Sequence, residues 1–188
     1  MNLASYADLA VRLVNSGVCD ADADPLRSCE AFRAFVAERP FLDVPVIQAD
    51  LDRLRLLRTE LTGVFIAAAK RDDRAAADAL NALLMVHPLH PVLDQHDGGP
   101  WHVHLSESGS MTDRYAAASV IGLSLVLSAF GMERLGICAI ASCDRVYIDG
   151  SKNKSRRYCM EHSAARGNVT SLRGQRRPVP GAAGESVA

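Results

Sequence analysis

The sequence predicts a mainly α protein with a small β-hairpin, built as a helical N-terminal domain over residues 1–132, a small β-hairpin/helix module over 133–177 and a disordered tail over 178–188. Three observations carry this expectation. Apolar residues recur at three- and four-residue spacing through most of the first 131 positions, the period of an amphipathic helix. That period breaks around Asp97-Gly98-Gly99, where two short extended runs flank a turn. From residue 133 the texture changes, and Cys138, Cys143 and Cys159 fall within a stretch crowded with Arg and Lys.

Each element follows from local chemistry. In "ASYADLAVRLVNS", residues 4–16, Leu9 and Leu13 share a helical stripe with Ala10 and Val14, and the acidic "SGVCDADADP" ends it. Ser28 is placed to cap "SCEAFRAFVAER", with Phe32, Phe35 and Val36 turned inward. Pro40 and Pro45 bracket a turn, after which Asp50 is expected to cap "LDRLRLLRTELTGVFIAAAKR". Its Leu51, Leu54, Leu57, Leu61, Val64 and Phe65 keep a core-facing spacing. "DDRAAADALNALLMVH" opens with two acids suited to a helix N-terminus and pairs with the preceding helix as an antiparallel hairpin. "HPVLDQHDGGPWHVHLS" is the β-hairpin, and "TDRYAAASVIGLSLVLSAFG" is a helix apolar enough for the centre of the bundle, ended by Gly131. Beyond it, "RLGICAIASCDRVYIDGSKN" predicts a strand, a knuckle and a second strand at Val146–Ile148, and "SAARGNVTSLRGQRR" a helix. From Pro178 the Pro/Gly/Ala-rich chain is expected to lack order.

At 188 residues with 48% hydrophobic content, a sizeable core can form without crosslinks. The net charge of −1 averages two unlike regions. Residues 134–177 hold ten basic side chains against three acids, a balance of +7, which leaves −8 on the remainder. Such asymmetry points to a polyanion-binding end on an acidic body. The N-terminus lacks the basic n-region of a secretory signal, and the longest apolar run is broken by Ser and Gly and too short to span a bilayer. The expectation is a soluble, cytoplasmic protein without a membrane partner. Five cysteines in that compartment are thiols or metal ligands rather than disulfides, and Cys19 and Cys29 are expected to be plain thiols.

Zinc is held by thiolate sulfur and imidazole nitrogen in a closed tetrahedron, with pairs of ligands from short turns. Cys138-x4-Cys143 supplies one pair, and Cys159 begins a second cluster with His162 three residues on and Ser163 four residues on. A neutral hydroxyl is a poor zinc ligand, so Cys3His is the favoured set. The competing reading is three buried thiols, since Cys is among the most buried residue types. A segment so rich in charge has little apolar content for a core of its own, which favours a metal as its organiser.

These residues resemble a known family. "RLGICAIASCDRVYIDGSKNKSRRYC" is similar to the CGNR zinc finger of bacterial proteins, whose pattern runs Cys-x4-Cys, an aromatic strand, "D-S-R-N-x-S-R-R", a third Cys, then a fourth Cys and Arg at a helix start. Upstream, "DLAVRLVNS" resembles the "LALDLVNT" opening of the helical ABATE-type domain that precedes this finger, and "GGPWHVHLS" resembles its hairpin. The resemblance covers about residues 4–177. It implies a zinc-finger-like β-hairpin/helix module, a zinc cofactor, DNA as partner and a role, assigned to the family by inference, in stress-induced transcription regulation. One departure stands out. Aligned without a gap, the fourth Cys falls on Ser163 and the letters C-G-N-R are absent, so zinc held by Cys138, Cys143, Cys159 and His162 competes with a finger that has lost its metal.

In the expected last helix, Arg166, Thr170, Arg173 and Arg177 share one face, and Lys152, Lys154, Arg156 and Arg157 come from the preceding loop. Together they form the candidate DNA-binding surface, with phosphate contacts and bidentate Arg–guanine contacts as its means. Arg156 and Arg157 have an alternative, pairing with Asp149 or with acids of the helical domain. His87, His90, His96, His102 and His104 gather in one stretch, where hydrogen bonding within the hairpin is the expected role. Asn15, His102 and His104 are the candidates for a ligand pocket. Gly-rich phosphate loops, Ser/His/Asp signatures and paired-carboxylate motifs are absent, so no enzyme is expected. The helical domain leaves room for a small-molecule effector or for homodimerisation. The rival to a DNA-binding regulator is a protein-interaction or structural module.

Overall fold

The computed structural model describes residues 3–18, 20–87, 89–95, 98–99, 101–104 and 109–163. Helices α1 (Leu3–Ser16), α2 (Cys29–Val36), α3 (Gln48–Ala69), α4 (Asp73–Val86) and α5 (Met111–Phe130) form the body. Strands β1 (Val92–Asp94) and β2 (His102–His104) pair antiparallel with Leu93 opposite Val103. Strands β3 (Leu135–Ile137) and β4 (Val146–Ile148) pair antiparallel with Gly136 opposite Tyr147. The expected mainly α architecture with small hairpins is the one observed.

The apolar stripes fill one core. Leu9, Ala10 and Leu13 of α1, Phe32 of α2 and Leu51, Leu54, Leu61, Val64 and Phe65 of α3 are all buried in it. Each fully buried Leu or Phe contributes roughly 1.5–3 kcal/mol relative to an exposed one. Phe35, expected inward, is half-buried and carries Arg12 over its ring at 4.8 Å. The caps at Ser28, Asp72 and Ser110 each accept a backbone N–H of the first helical turn, and Gly131 ends α5 at φ 93°.

Asp50 is displaced from its expected place. α3 begins at Gln48, three residues before the expected Leu51, which puts Asp50 inside the first turn rather than before it. There its buried carboxylate accepts the Ile47 N–H at 3.1 Å and the Thr112 hydroxyl at 3.1 Å, tying the starts of α3 and α5 together. The gain is two satisfied donors from one buried acid.

α5 is the central helix, and at twenty residues it reaches the length and apolar composition of a membrane span, longer than the broken run predicts. Its buried face is a core face instead. Tyr115 donates its hydroxyl to the Leu9 carbonyl at 2.9 Å, and burial pushes its phenol pKa upward. Gly122 lets α1 ride close over it: a Cβ there would sit 2.5 Å from the Ala7 nitrogen and 2.5 Å from the Tyr6 Cβ. At the other end of α1, the loop after it is fastened by Asp24. Burial alone would raise the Asp24 carboxyl, but hydrogen bonds from Arg58 at 2.9 Å and the Leu26 N–H hold it below the ordinary range.

The C-terminal strands join this core. Leu135 and Val146 are buried in the same apolar cluster as the helices, with β3 against α3 and β4 against α1. Asn15, on α1, completes the joint: its Nδ2 donates to the Val146 carbonyl at 3.0 Å and its Oδ1 accepts the Val146 N–H at 2.7 Å. A side-chain amide thus pairs with a strand as another strand would.

Two outcomes are expected from this packing. Gly122→Ala forces α1 and α5 apart and costs about 1–3 kcal/mol, read as a lower urea midpoint. Asn15→Ala leaves both main-chain groups of Val146 without their partner and costs about 1–3 kcal/mol, read in the same titration.

Candidate metal centre

The knuckle between β3 and β4 sets the first two thiols. Cys138 donates its N–H to the Arg145 carbonyl at 2.8 Å, and Cys143 donates to the Ile140 carbonyl at 2.9 Å, which turns both side chains inward. The second pair comes from further along. The chain passes back over the knuckle, where Ala139 donates to the Arg157 carbonyl at 2.8 Å, and a helical turn begins at Met160. That start lies before the expected one, so His162 falls inside the turn and Ser163 at its outer side.

The consequence is convergence. The Sγ atoms of Cys138, Cys143 and Cys159 and a ring nitrogen of His162 all lie within 4.8 Å of one another. His162 Nδ1 stands 3.3 Å from Cys138 Sγ and 3.4 Å from Cys159 Sγ. Bonds of about 2.3 Å to sulfur and about 2.0 Å to nitrogen in a tetrahedron put such pairs about 3.5 Å apart, so the donor set fits a small thiophilic cation. Ser163 is exposed and donates its hydroxyl to the Tyr158 carbonyl at 3.3 Å, outside the cluster.

The electrostatics favour the same occupant. All three thiols are buried, with Ile140 and Tyr158 packed beside them. Burial raises the Cys138 thiol, but the N–H groups of Cys159 and Ile140 and the His162 ring reverse that and bring it to about 6. Cys143 moves upward, by burial and by the neighbouring sulfurs, against the Arg145 N–H. One thiolate is welcome in this space and a second is not until a positive charge arrives. A divalent cation with three thiolates removes that conflict. Among the described residues this is the one His/Cys/Asp/Glu group with metal-ligand geometry that includes Cys.

The basic loop divides by role. Lys152 and Arg157 are exposed. Lys154, at φ 51°, pairs with Glu133. Arg156 is half-buried: its Nε donates to the Tyr158 carbonyl at 3.0 Å, its Nη1 to the Ile148 carbonyl at 3.3 Å, and its guanidinium lies 5.3 Å over the Tyr147 ring. Arg166, Arg173 and Arg177 of the candidate DNA-binding surface, and the tail over 178–188, lie outside the described residues. Asn15 lines a cavity of about 600 Å³ between α1, α5 and β4, with its amide engaged by Val146. His102 and His104 pair through the backbone with Asp94 and Val92, and their side chains lie outside the described residues.

Two further residues hold the module around the site together: Asp149, foreseen only as a partner for Arg156 and Arg157, and Arg145, which sequence reasoning passed over. Asp149 is 4% exposed and accepts the N–H groups of Ser151 at 2.7 Å and Arg156 at 2.9 Å. Burial opposes its ionisation, but those hydrogen bonds and the nearby Arg134 hold its carboxyl below the usual range. The Asp-Gly-Ser order was its signal, that of a side chain closing a turn on its own backbone. Arg145 pairs with Glu161 at 3.0 Å, clasping the knuckle to the helical turn; sixteen residues of separation hide that pair in a linear reading.

No curated protein matches the chain. Two family models do. One, the CGNR zinc finger, matches residues 134–176 and so contains the whole Cys3His cluster. The other, ABATE, described as "Putative stress-induced transcription regulator", matches residues 7–132, more than half the chain. Neither description names a reaction, and together they describe a regulator-like, metal-binding protein whose two parts have the order expected from the sequence. The chain belongs to the ABATE family, with a CGNR zinc finger following the helical domain.

Proposed function

We propose that this protein is a transcription regulator that binds DNA through a zinc-loaded C-terminal finger, with the helical domain receiving a small-molecule effector. The observation that carries the reading is the convergence of Cys138, Cys143, Cys159 and His162 on one point. Zinc, when bound, supplies the charge that lets three thiolates share that space and so fixes the basic loop and the following segment against the body. His162 stands in for the family's fourth Cys, and Ser163 has no part in the site.

The electrostatic asymmetry supports nucleic acid as the partner. Lys152 and Arg157 are exposed beside the cluster, and Arg166, Arg173 and Arg177 follow it along the chain. Cations so placed neutralise phosphates and release condensed counterions. Arg156 is reassigned by this reading from DNA contact to holding the loop's shape, since its guanidinium is engaged by carbonyls of its own module.

A second reading rests on a specific observation. Arg156 is engaged by carbonyls of its own module and Lys154 is paired with Glu133, which is how a structural module would use its cations.

Elemental analysis of untagged protein grown without added metal is expected to find one zinc per chain, and His162→Ala is expected to leave it substoichiometric. Absence of zinc in both favours the second reading. For DNA, affinity for duplex is expected to fall with rising salt, and the Lys152→Ala/Arg157→Ala pair to flatten the log–log slope by about 0.9 for each phosphate left without its cation. An affinity indifferent to salt would sink the DNA assignment.

A further inference from the structure

The cavity beside Asn15 has no assigned occupant. Its volume of about 600 Å³ lies within the range of small-molecule sites, about 300–1,000 Å³. One wall is apolar and belongs to the helical domain, with Val11 of α1 and Val126 and Phe130 of α5; Ile148 of β4 faces in from the finger. The other wall is cationic, with Arg134, Lys152 and Arg156.

The charges on that wall are unequally balanced. Asp8 also lines the cavity but is paired with Arg39 at 3.3 Å. Asp149 is buried, accepts the Ser151 and Arg156 N–H groups, and offsets part of the Arg134 charge, which leaves Lys152 and Arg156 as the less compensated cations. Among the described residues, Arg134, Lys152 and Arg156 take part in no ion pair; the guanidinium groups meet neutral carbonyls and rings. Arg134 donates through Nη1 to the Asp149 carbonyl at 3.0 Å and the Ser151 carbonyl at 2.6 Å, and lies 5.9 Å from the Phe130 ring centre. Its Nε is buried and lacks a hydrogen-bond acceptor among the described residues. A donor buried in this way is costly; the cavity itself is lined by the charged side chains of Arg134, Lys152 and Arg156, and a guanidinium or ammonium favours an acidic group beside it.

We infer that this cavity binds a small amphipathic anion, an apolar body against Val11, Val126 and Phe130 with a single acidic group toward Arg134, Lys152 and Arg156. The inference deepens the effector part of the function proposed above by giving its chemical class and its place. Because one wall is helical domain and the other is the finger's own loop, a bound molecule bears on both. By linkage, a ligand that prefers one arrangement of that loop changes DNA affinity by the factor by which DNA changes the ligand's.

The test uses the full-length protein without DNA, so that failure of DNA binding leaves it decisive. Decanoate and 2-naphthoate are titrated calorimetrically, with the neutral amide of each as comparison. One saturable site per chain is expected for at least one acid, with its amide weaker by about tenfold. Phe130→Ala is expected to weaken acid binding about tenfold, because the apolar body then has less surface to bury against. Arg134→Gln is expected to weaken it by a similar factor, and Lys152→Gln, at an exposed side chain, gives the charge test in a chain whose fold is not in question. Absence of a saturable site for both acids overturns the proposal. Amides that bind as tightly as the acids overturn the anionic class, and an affinity unchanged by Phe130→Ala overturns the location.

Discussion

The pairing of the Asn15 carboxamide with both main-chain groups of Val146 is the joint on which the arrangement of the two modules depends. It links a helix of the body to a strand of the finger through a side chain with one donor and one acceptor set at strand-like spacing. Around it, Leu135 and Val146 enter the helical core, so the hairpin that carries the cysteines is held by hydrophobic burial at its base. At the far end, where the thiols lie, Ile140 and Tyr158 are the apolar company among the described residues. The module is therefore apolar at its root and, at its tip, is built around a set of potential metal ligands.

That division explains why the cluster has the chemistry it has. Three buried thiols and one imidazole make a poor core but a good ligand set. The protein contributes orientation through backbone hydrogen bonds to Arg145 and Ile140, through the helical turn that starts at Met160 and through the Arg145–Glu161 clasp. These outer contacts fix the donors before a cation arrives, which is the usual role of groups behind a metal's ligands.

Much of this was legible in the sequence, and the illegible parts share a cause. The helices followed from apolar spacing because burial of one stripe leaves a regular trace, and Ser28 and the acids at the start of α4 mark two of their starts, whereas the Ser110 cap of α5 was not foreseen. The four converging residues were legible because three of them are cysteines at short spacing; preferring His162 over Ser163 needed only ligand chemistry. Asp50 was misplaced by three positions because its true partners, Ile47 and Thr112, include one sixty-two residues away. Arg156 looked like its basic neighbours, and nothing local separates a guanidinium engaged by carbonyls from one facing water. Asn15 was noticed as a pocket residue, and it does line the cavity, but its pairing with a strand 131 positions later had no local sign. Contacts of long sequence separation leave no periodic trace, and both the joint and the cavity are made of them.

The shared core has a consequence for modularity. If the chain were divided just before Leu135, the faces of α1 and α3 that β3 and β4 cover would meet water, and the excised hairpin would bare Leu135 and Val146. The finger is then less a portable cassette than a lid on the helical body, and neither half is equipped to be transplanted onto another protein without a substitute for the surface it leaves behind.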